Sequence, residues 1–179
     1  MASRRILVTG GIRSGKSRYA EGLLATAPAV SYLAPGPRAD PTVDTEWANR
    51  IAVHQARRPA NWTTVETDDL AGAVRVAGQP VLFDSLGSWL TATLEQLDAW
   101  HTPAQAWTQM FEDQLEDLAN AWLACSQPAV AVTEEVGWGL VAEHHSGRLF
   151  VDLLGTVNQT MAEVSDEVVL VVAGRPLRL

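Results

Sequence analysis

The residues with the clearest chemical pattern lie near the start of the chain, in a glycine-rich run that holds the protein's single lysine, Lys16. The run has the P-loop form G-x-x-x-x-G-K-[ST] and consists of Gly10, Gly11, Ile12, Arg13, Ser14, Gly15, Lys16 and Ser17. In a P-loop the glycines let backbone N–H groups face a phosphate, and the N-terminus of the following helix favours the anion. Lys16 would reach the β- and γ-phosphates, and the Ser17 hydroxyl would bind Mg²⁺. The alternative is a glycine-rich turn that binds nothing.

The segments around this run predict the elements that position it. Short β-branched runs alternate with longer helical runs, and a strand-like run and a helical run flank the glycine-rich segment, as a P-loop requires. We predict strands at Ile6–Thr9, Val30–Leu33, Trp62–Val65, Val81–Asp84, Ala129–Thr133 and Val168–Ala173. We predict helices at Lys16–Thr26, Thr45–Arg57, Asp69–Val76, Ser88–Leu97, Pro103–Cys125 and Phe150–Val164, and a loop at Ala34–Pro41. This order indicates an α/β fold with a mostly parallel open sheet flanked by helices, and a site at the carboxyl ends of its strands.

Composition limits the classes of function. The 179 residues suffice for one domain, residues 1–179, and the 47% hydrophobic content predicts a globular core. A net charge of −8 argues against non-specific binding to nucleic acid or to an anionic membrane. The single cysteine, Cys125, excludes an intrachain disulfide, and no apolar run is long enough to span a membrane. Because the N-terminus runs straight into the first strand, we expect no signal peptide and a cytoplasmic protein.

Asp84 ends the apolar run Val81-Leu82-Phe83 and gives a second phosphate-related pattern. In P-loop proteins a carboxylate at such a strand end holds Mg²⁺, directly or through water. The pattern alone is weak, because many buried strands end in aspartate. The alternative is that Asp84 caps the helix that begins near residues 85–88.

His54 lies among arginines in an otherwise acidic protein. On a helix, Glu46, Arg50 and His54 share one face, and Arg57 and Arg58 follow before Pro59 ends the helix. Arginines of this kind bind phosphates, and a histidine beside a nucleotide can act as a base or as a nucleophile. The alternative is a surface histidine on a charged helix face, which the residues alone favour.

Two carboxylates, Glu134 and Glu135, follow the predicted strand Ala129–Thr133 and lead into a glycine-rich loop. Their place at the end of a strand favours a functional role, such as orienting a hydroxyl or a metal-bound water. Solvated loop charges are the alternative. The neighbouring His144 and His145 do not by themselves make a metal site, and His101 lies in a turn.

These motifs, in this order, resemble those of the bifunctional adenosylcobinamide kinase/adenosylcobinamide-phosphate guanylyltransferases of cobalamin synthesis. The resemblance covers nearly the whole chain, and its most specific part is the form Thr-Gly-Gly-x-Arg-Ser-Gly-Lys-Ser. The matching positions are residues 6–18, Glu46, residues 50–51, His54, residues 58–62, Glu66, residues 135–141, Asp152, Gly155, residues 157–159 and residues 166–168. The chain departs from the residues usual in the family at Pro35, Ala92, Glu134, Ala142 and Val151.

The resemblance implies a RecA-like P-loop NTPase fold and a homotrimer. It implies phosphorylation of the aminopropanol hydroxyl of adenosylcobinamide by ATP or GTP, followed by transfer of GMP from GTP to that phosphate. His54 matches the histidine that becomes guanylylated, which reverses the preference reached from the residues alone. Nucleotide-binding roles then fall to the P-loop and to Arg50, Arg57, Arg58, Glu66 and Asp84, with Mg²⁺ held by Ser17 and Asp84.

Two other hypotheses stay open on the sequence. A different P-loop kinase for a small molecule would use Lys16, Ser17 and Asp84 but would have no role for His54. A nucleotide-binding protein that has lost one or both activities would fit the departures from the family pattern.

Overall fold

The structure is a computed structural model, and it describes residues 4–36, 45, 52–53, 55–56 and 58–179. Its strands are β1 (Arg5–Thr9), β2 (Val30–Ala34), β3 (Trp62–Glu66), β4 (Val81–Asp84), β5 (Ala129–Val132), β6 (Glu167–Val172) and β7 (Arg175–Arg178). They form one sheet in the order β3-β2-β4-β5-β1-β6-β7. The first six strands pair in parallel, and β7 pairs antiparallel with β6. The predicted mostly parallel α/β sheet is therefore confirmed.

Helices cover both faces of the sheet, because parallel strands are joined by crossovers that leave neither face open. The described helices are α1 (Lys16–Leu23), α2 (Leu70–Arg75), α3 (Leu86–Gln96), α4 (Thr108–Ala124) and α5 (His145–Glu163), with a 3₁₀ turn at Ala104–Ala106. None of these helices is long and apolar enough to span a membrane.

Side chains that alternate along each strand build two separate cores. On one face, Leu7, Leu33 and Phe83 pack with α2, α3, α4 and α5, and Trp122 of α4 meets Phe83 edge-on at a ring-centroid distance of 5.2 Å. On the other face, Val8 and Tyr32 belong to the smaller core under α1. Residues on this second face point toward the helix that begins at the P-loop.

The six predicted strands are all present, and their ends differ from the predictions by one residue at most. Two predicted helix starts are wrong, and one strand was missed. The helix predicted from Pro103 begins at Thr108, because Pro103 opens a short 3₁₀ turn instead. The helix predicted from Phe150 begins at His145, and β7 was not predicted. Most of the predicted loop Ala34–Pro41 and helix Thr45–Arg57 lies outside the described residues.

Candidate nucleotide-binding site

The P-loop joins β1 to α1 in the order that the sequence predicts. Gly15 takes a left-handed conformation with φ 95° just before the first helical residue, Lys16. A residue with a Cβ is strained at such a φ, so glycine suits this position. Arg13 is also left-handed, with φ 55°. Together these residues curl the backbone into a loop at the helix N-terminus, where partial positive charge favours an anion.

Hydrogen bonds hold three carbonyl groups of the loop. The carbonyls belong to Gly10, Gly11 and Ser14, and their donors are the backbone N–H groups of Glu135 at 3.2 Å, Ser14 at 3.2 Å and Gly174 at 2.7 Å. In a trans peptide the C=O and the next N–H point in opposite directions. The N–H groups that follow the held carbonyls are therefore turned the other way, and the loop has its shape before any phosphate arrives.

The loop also packs closely against the hairpin between β6 and β7. A Cβ on Gly10 would lie 2.5 Å from the carbonyl oxygen of Val171 and 2.6 Å from Ser14 Oγ. A Cβ on Gly15 would lie 3.3 Å from the Cα of Gly174. Gly10 is therefore needed for close approach of two backbones.

Lys16 is half-buried at the start of α1, and its Nζ lies 3.4 Å from the carbonyl oxygen of Gly11. That distance is at the outer limit of a hydrogen bond, so the contact is weak. An ammonium group on a flexible stem with so weak a partner can turn to a phosphate at low cost.

Asp84 faces the same side of the sheet as α1. Leu82 lies in the core under α1, and side chains two residues apart on a strand share a face. Asp84 Oδ2 accepts a hydrogen bond from the Tyr32 hydroxyl at 3.2 Å. Ser85, and not Asp84, caps α3, because its Oγ accepts from the Ser88 N–H at 3.3 Å. The capping alternative for Asp84 is thus wrong.

The donor atoms here suit Mg²⁺. Ser17 and Asp84 offer a hydroxyl and a carboxylate, and Mg²⁺ prefers hard oxygen ligands together with water and substrate phosphates. Within the described part of the chain, no group of three or more His, Cys, Asp or Glu side chains could hold a metal ion. Water and the phosphates of a nucleotide would supply the remaining ligands that Mg²⁺ needs.

Glu134 and Glu135 follow β5, which lies between the P-loop strand β1 and the Asp84 strand β4. Burial raises the pKa of Glu134, and the positive charge of Lys16 opposes that rise. Glu135 Oε1 accepts a hydrogen bond from Thr9 Oγ1 at 2.7 Å, and its N–H holds the P-loop. Neither residue is a freely solvated loop charge, so that alternative is wrong.

Asn158 of α5 holds the segment that follows β5 through two hydrogen bonds. Its Oδ1 accepts from the Thr133 hydroxyl at 2.5 Å, and its Nδ2 donates to the carbonyl oxygen of Glu134 at 3.0 Å. Thr133 is fully buried. The carboxyl end of β5 is thus tied to α5 on one side and to the P-loop on the other.

The histidine segment is described only in part. His54, Arg50 and Arg57, all predicted site residues, lie outside the described residues. Arg58 is half-buried, with its guanidinium carbon 3.4 Å from the centroid of the Tyr32 ring and its Nη1 donating to Thr64 Oγ1 at 2.8 Å.

Glu66, the remaining predicted site residue, is exposed at the end of β3. It lines a cavity of about 260 Å³ together with Gly36, Thr67, Asp68, Ala92, Glu95 and Gln96. The cavity is at the same edge of the sheet as the P-loop, since β1 and β3 run in the same direction and both end there.

Sequence reasoning assigned no role to three residues at this site: Tyr32, Asn158 and Gly174. From the sequence, a tyrosine inside an apolar strand is predicted to be a core residue. An asparagine inside a helix is predicted to be a surface residue, and a glycine after a strand is predicted to form a turn. Each acts through a hydrogen bond to a distant segment, so the residues around it do not show what it contacts.

Solved structures confirm the fold. A prototypical ATPase of the type III secretion system of pathogenic bacteria aligns with a TM-score of 0.59 at 13% identity, over 94% of this chain and 51% of that one. The type III secretion ATPase EscN of enteropathogenic E. coli aligns with a TM-score of 0.58, over 96% of this chain and 43% of that one. This chain thus spans about half the length of these ATPases or less. At this identity the likeness shows the P-loop NTPase fold alone.

Curated relatives match over nearly their whole length. Proteins named bifunctional adenosylcobalamin biosynthesis protein are 40% identical in Salmonella typhimurium and 38% identical in Escherichia coli, each over 94% of this chain and 96% of the relative. A third, in Pseudomonas aeruginosa, is 37% identical over 98% of this chain and 96% of the relative. The family model described as cobinamide kinase / cobinamide phosphate guanyltransferase matches residues 6–179. With the resemblance seen in the motifs thereby confirmed, the chain belongs to the cobinamide kinase / cobinamide phosphate guanyltransferase family.

Proposed function

We propose that this protein is a bifunctional adenosylcobinamide kinase and adenosylcobinamide-phosphate guanylyltransferase. It phosphorylates the aminopropanol hydroxyl of adenosylcobinamide with ATP or GTP, and then transfers GMP from GTP to that phosphate, releasing pyrophosphate. The observation that carries the proposal is a P-loop held in shape by its neighbours, with Asp84 on the sheet face that α1 covers, in a chain that belongs to this family.

The nucleotide binds through backbone and side-chain groups of this chain. The loop N–H groups and Lys16 bind the phosphates. Ser17 and Asp84 would hold Mg²⁺, which would neutralise charge that develops on the phosphates. Arg50, Arg57, Arg58 and Glu66 complete the proposed set of nucleotide-binding residues. The half-buried packing of Arg58 on Tyr32 supports a fixed place for its charge.

Guanylyl transfer proceeds through His54, whose role rests on the family resemblance. The imidazole nitrogen attacks the α-phosphorus of GTP, so that a P–N bond forms and the bond to pyrophosphate breaks. A phosphate oxygen of adenosylcobinamide phosphate then attacks the same phosphorus, which forms a P–O bond and returns the imidazole. The two-step route divides one difficult transfer into two easier ones.

The proposal includes a single catalytic domain over residues 1–179, working in the cytoplasm on a corrinoid substrate and not on nucleic acid. The homotrimer expected from the resemblance is part of the same proposal, and light scattering after size-exclusion chromatography tests it.

The decisive experiment is intact-protein mass spectrometry after incubation with GTP and Mg²⁺. The wild type should gain a GMP-sized adduct that is acid-labile and alkali-stable, and His54→Ala should gain none. The matched control is His101→Ala, which removes an exposed histidine hydrogen-bonded to Asp98. A second arm gives both proteins ATP and adenosylcobinamide, with Lys16→Ala as the variant that should lose phosphorylation. Absence of an adduct on wild-type protein that binds GTP would reject guanylyl transfer, and persistence of phosphorylation in that sample would leave a plain kinase.

A further inference from the structure

Tyr32 joins two parts of the site that are far apart in sequence. It lies within β2, is 1% exposed, and is paired in register with Leu82 of β4. From there its hydroxyl reaches Asp84, two residues farther along β4, and donates to Oδ2 at 3.2 Å. A buried tyrosine hydroxyl needs a hydrogen-bond partner, and here that partner is the carboxylate at the carboxyl end of the next strand.

The ring of Tyr32 is held on more than one side. The guanidinium of Arg58 lies over it at 3.4 Å from the centroid, and the ring of Trp62 lies 6.4 Å away with a tilt of 34°. Arg58 is itself held by Thr64, the register partner of Tyr32 on β3. A ring fixed in this way places its hydroxyl at one point, and a hydroxyl at one point fixes the carboxylate that accepts from it.

We propose that Tyr32 is a positioning residue whose hydroxyl holds Asp84 in the orientation that binds Mg²⁺ with the nucleotide. The inference rests on the proposed function, because it takes Asp84 as a magnesium ligand. It goes beyond that function by assigning to a buried tyrosine of a neighbouring strand the control of metal affinity. Tyr32 itself touches neither the metal nor the reacting atoms.

The test compares the binding of a fluorescent GTP analogue as Mg²⁺ is titrated, and again in the presence of EDTA. Tyr32→Phe removes the hydroxyl and leaves the ring under Arg58. We expect the Mg²⁺ concentration for half-maximal response to rise about tenfold, as it does when the hydrogen-bond partner of a metal ligand is lost. Binding in EDTA should stay as in the wild type, a separation that a general loss of packing would not produce.

Three further variants, two single and one double, test which hydroxyl and which carboxylate control the Mg²⁺ response. Tyr19→Phe removes the hydroxyl of the chain's other tyrosine, half-buried on α1, and should leave the Mg²⁺ response unchanged. Asp84→Asn should shift the response more than Tyr32→Phe, and the double variant should match Asp84→Asn alone. Thermal unfolding of each protein verifies that the measurements refer to folded chains.

The outcomes separate the two proposals. If Asp84→Asn shifts the Mg²⁺ response and Tyr32→Phe does not, the inference is overturned and the proposed function stands. If Asp84→Asn leaves the response unchanged, the metal role of Asp84 fails, and the inference fails with it. If Tyr32→Phe weakens binding equally with and without Mg²⁺, Tyr32 is structural and the inference is overturned.

Discussion

Removal of the Asn158 side chain should lower the free energy of unfolding by more than is usual for a helix residue that is only half-buried. In Asn158→Ala the Thr133 hydroxyl and the Glu134 carbonyl each lose a hydrogen-bond partner. A buried polar group left without a partner costs about 1 to 3 kcal/mol, so the loss of both partners should cost about 2 to 6 kcal/mol of unfolding free energy. For a chain of this length each kcal/mol lowers Tm by about 2 to 4 °C.

Urea unfolding followed by circular dichroism measures this loss, and a double-mutant cycle with Thr133→Val assigns it. Thr133→Val keeps the shape of the side chain and removes the hydroxyl, so it should cost about 1 kcal/mol alone and much less when Asn158 is already alanine. Gln159→Ala, on the exposed side of the same helix, is the control and should stay within about 0.5 kcal/mol of the wild type.

Two results would refute the reasoning. One is an Asn158→Ala variant as stable as the Gln159→Ala control. The other is additivity of the Asn158→Ala and Thr133→Val losses to within about 0.5 kcal/mol, since independent sites add and hydrogen-bonded ones do not. Either result would mean that α5 does not hold the turn that follows β5.

Two more predictions concern the P-loop and the first strand. Gly10→Ala should cost about 1 to 3 kcal/mol of stability, because its Cβ would overlap the Val171 carbonyl. The control Gly22→Ala, which has open space on α1, should gain up to about 1 kcal/mol. Equal stability of the two variants in urea unfolding would contradict this prediction. Asp166→Asn should cost about 1 kcal/mol at neutral pH, because Arg5 lowers the pKa of this carboxyl to about 2. That folded value lies below the unfolded value of about 3.9, so the contribution is complete above about pH 5 and is lost as the pH falls toward 2. Urea unfolding of wild type and Asp166→Asn across this range should converge at low pH; a constant gap would contradict the assignment, and Glu116→Gln on the exposed face of α4 controls for loss of a charge.

The strands were predictable because a buried parallel strand is a short, continuous run of apolar residues in the sequence. Val81-Leu82-Phe83 and Ala129–Val132 are apolar on both faces, which only a covered strand tolerates. Strand β7 has no such apolar run, since all four residues of Arg175–Arg178 are exposed and one of them is a proline. It forms because Ala173 and Gly174 take left-handed conformations with φ 49° and 76° and turn the chain back on β6.

The start of α5 was missed for a related reason. His145 opens the helix without a side-chain cap, and its first turn is polar and mostly exposed, so no apolar periodicity marks it. For the site, the P-loop was predictable from residue types alone. The roles of Tyr32 and Asn158 depend on strand order and on crossovers between distant segments, which one sequence does not encode locally.

The edge strand β7 also bears on how the molecule behaves when it is concentrated. An exposed sheet edge offers unpaired backbone groups to which a strand of another molecule can add. Here that edge carries Arg175, whose exposed charge disfavours close approach of a second copy, and Pro176, which has no N–H to offer. The strand that holds Gly174 against the P-loop thus also makes this side of the sheet a poor template for aggregation.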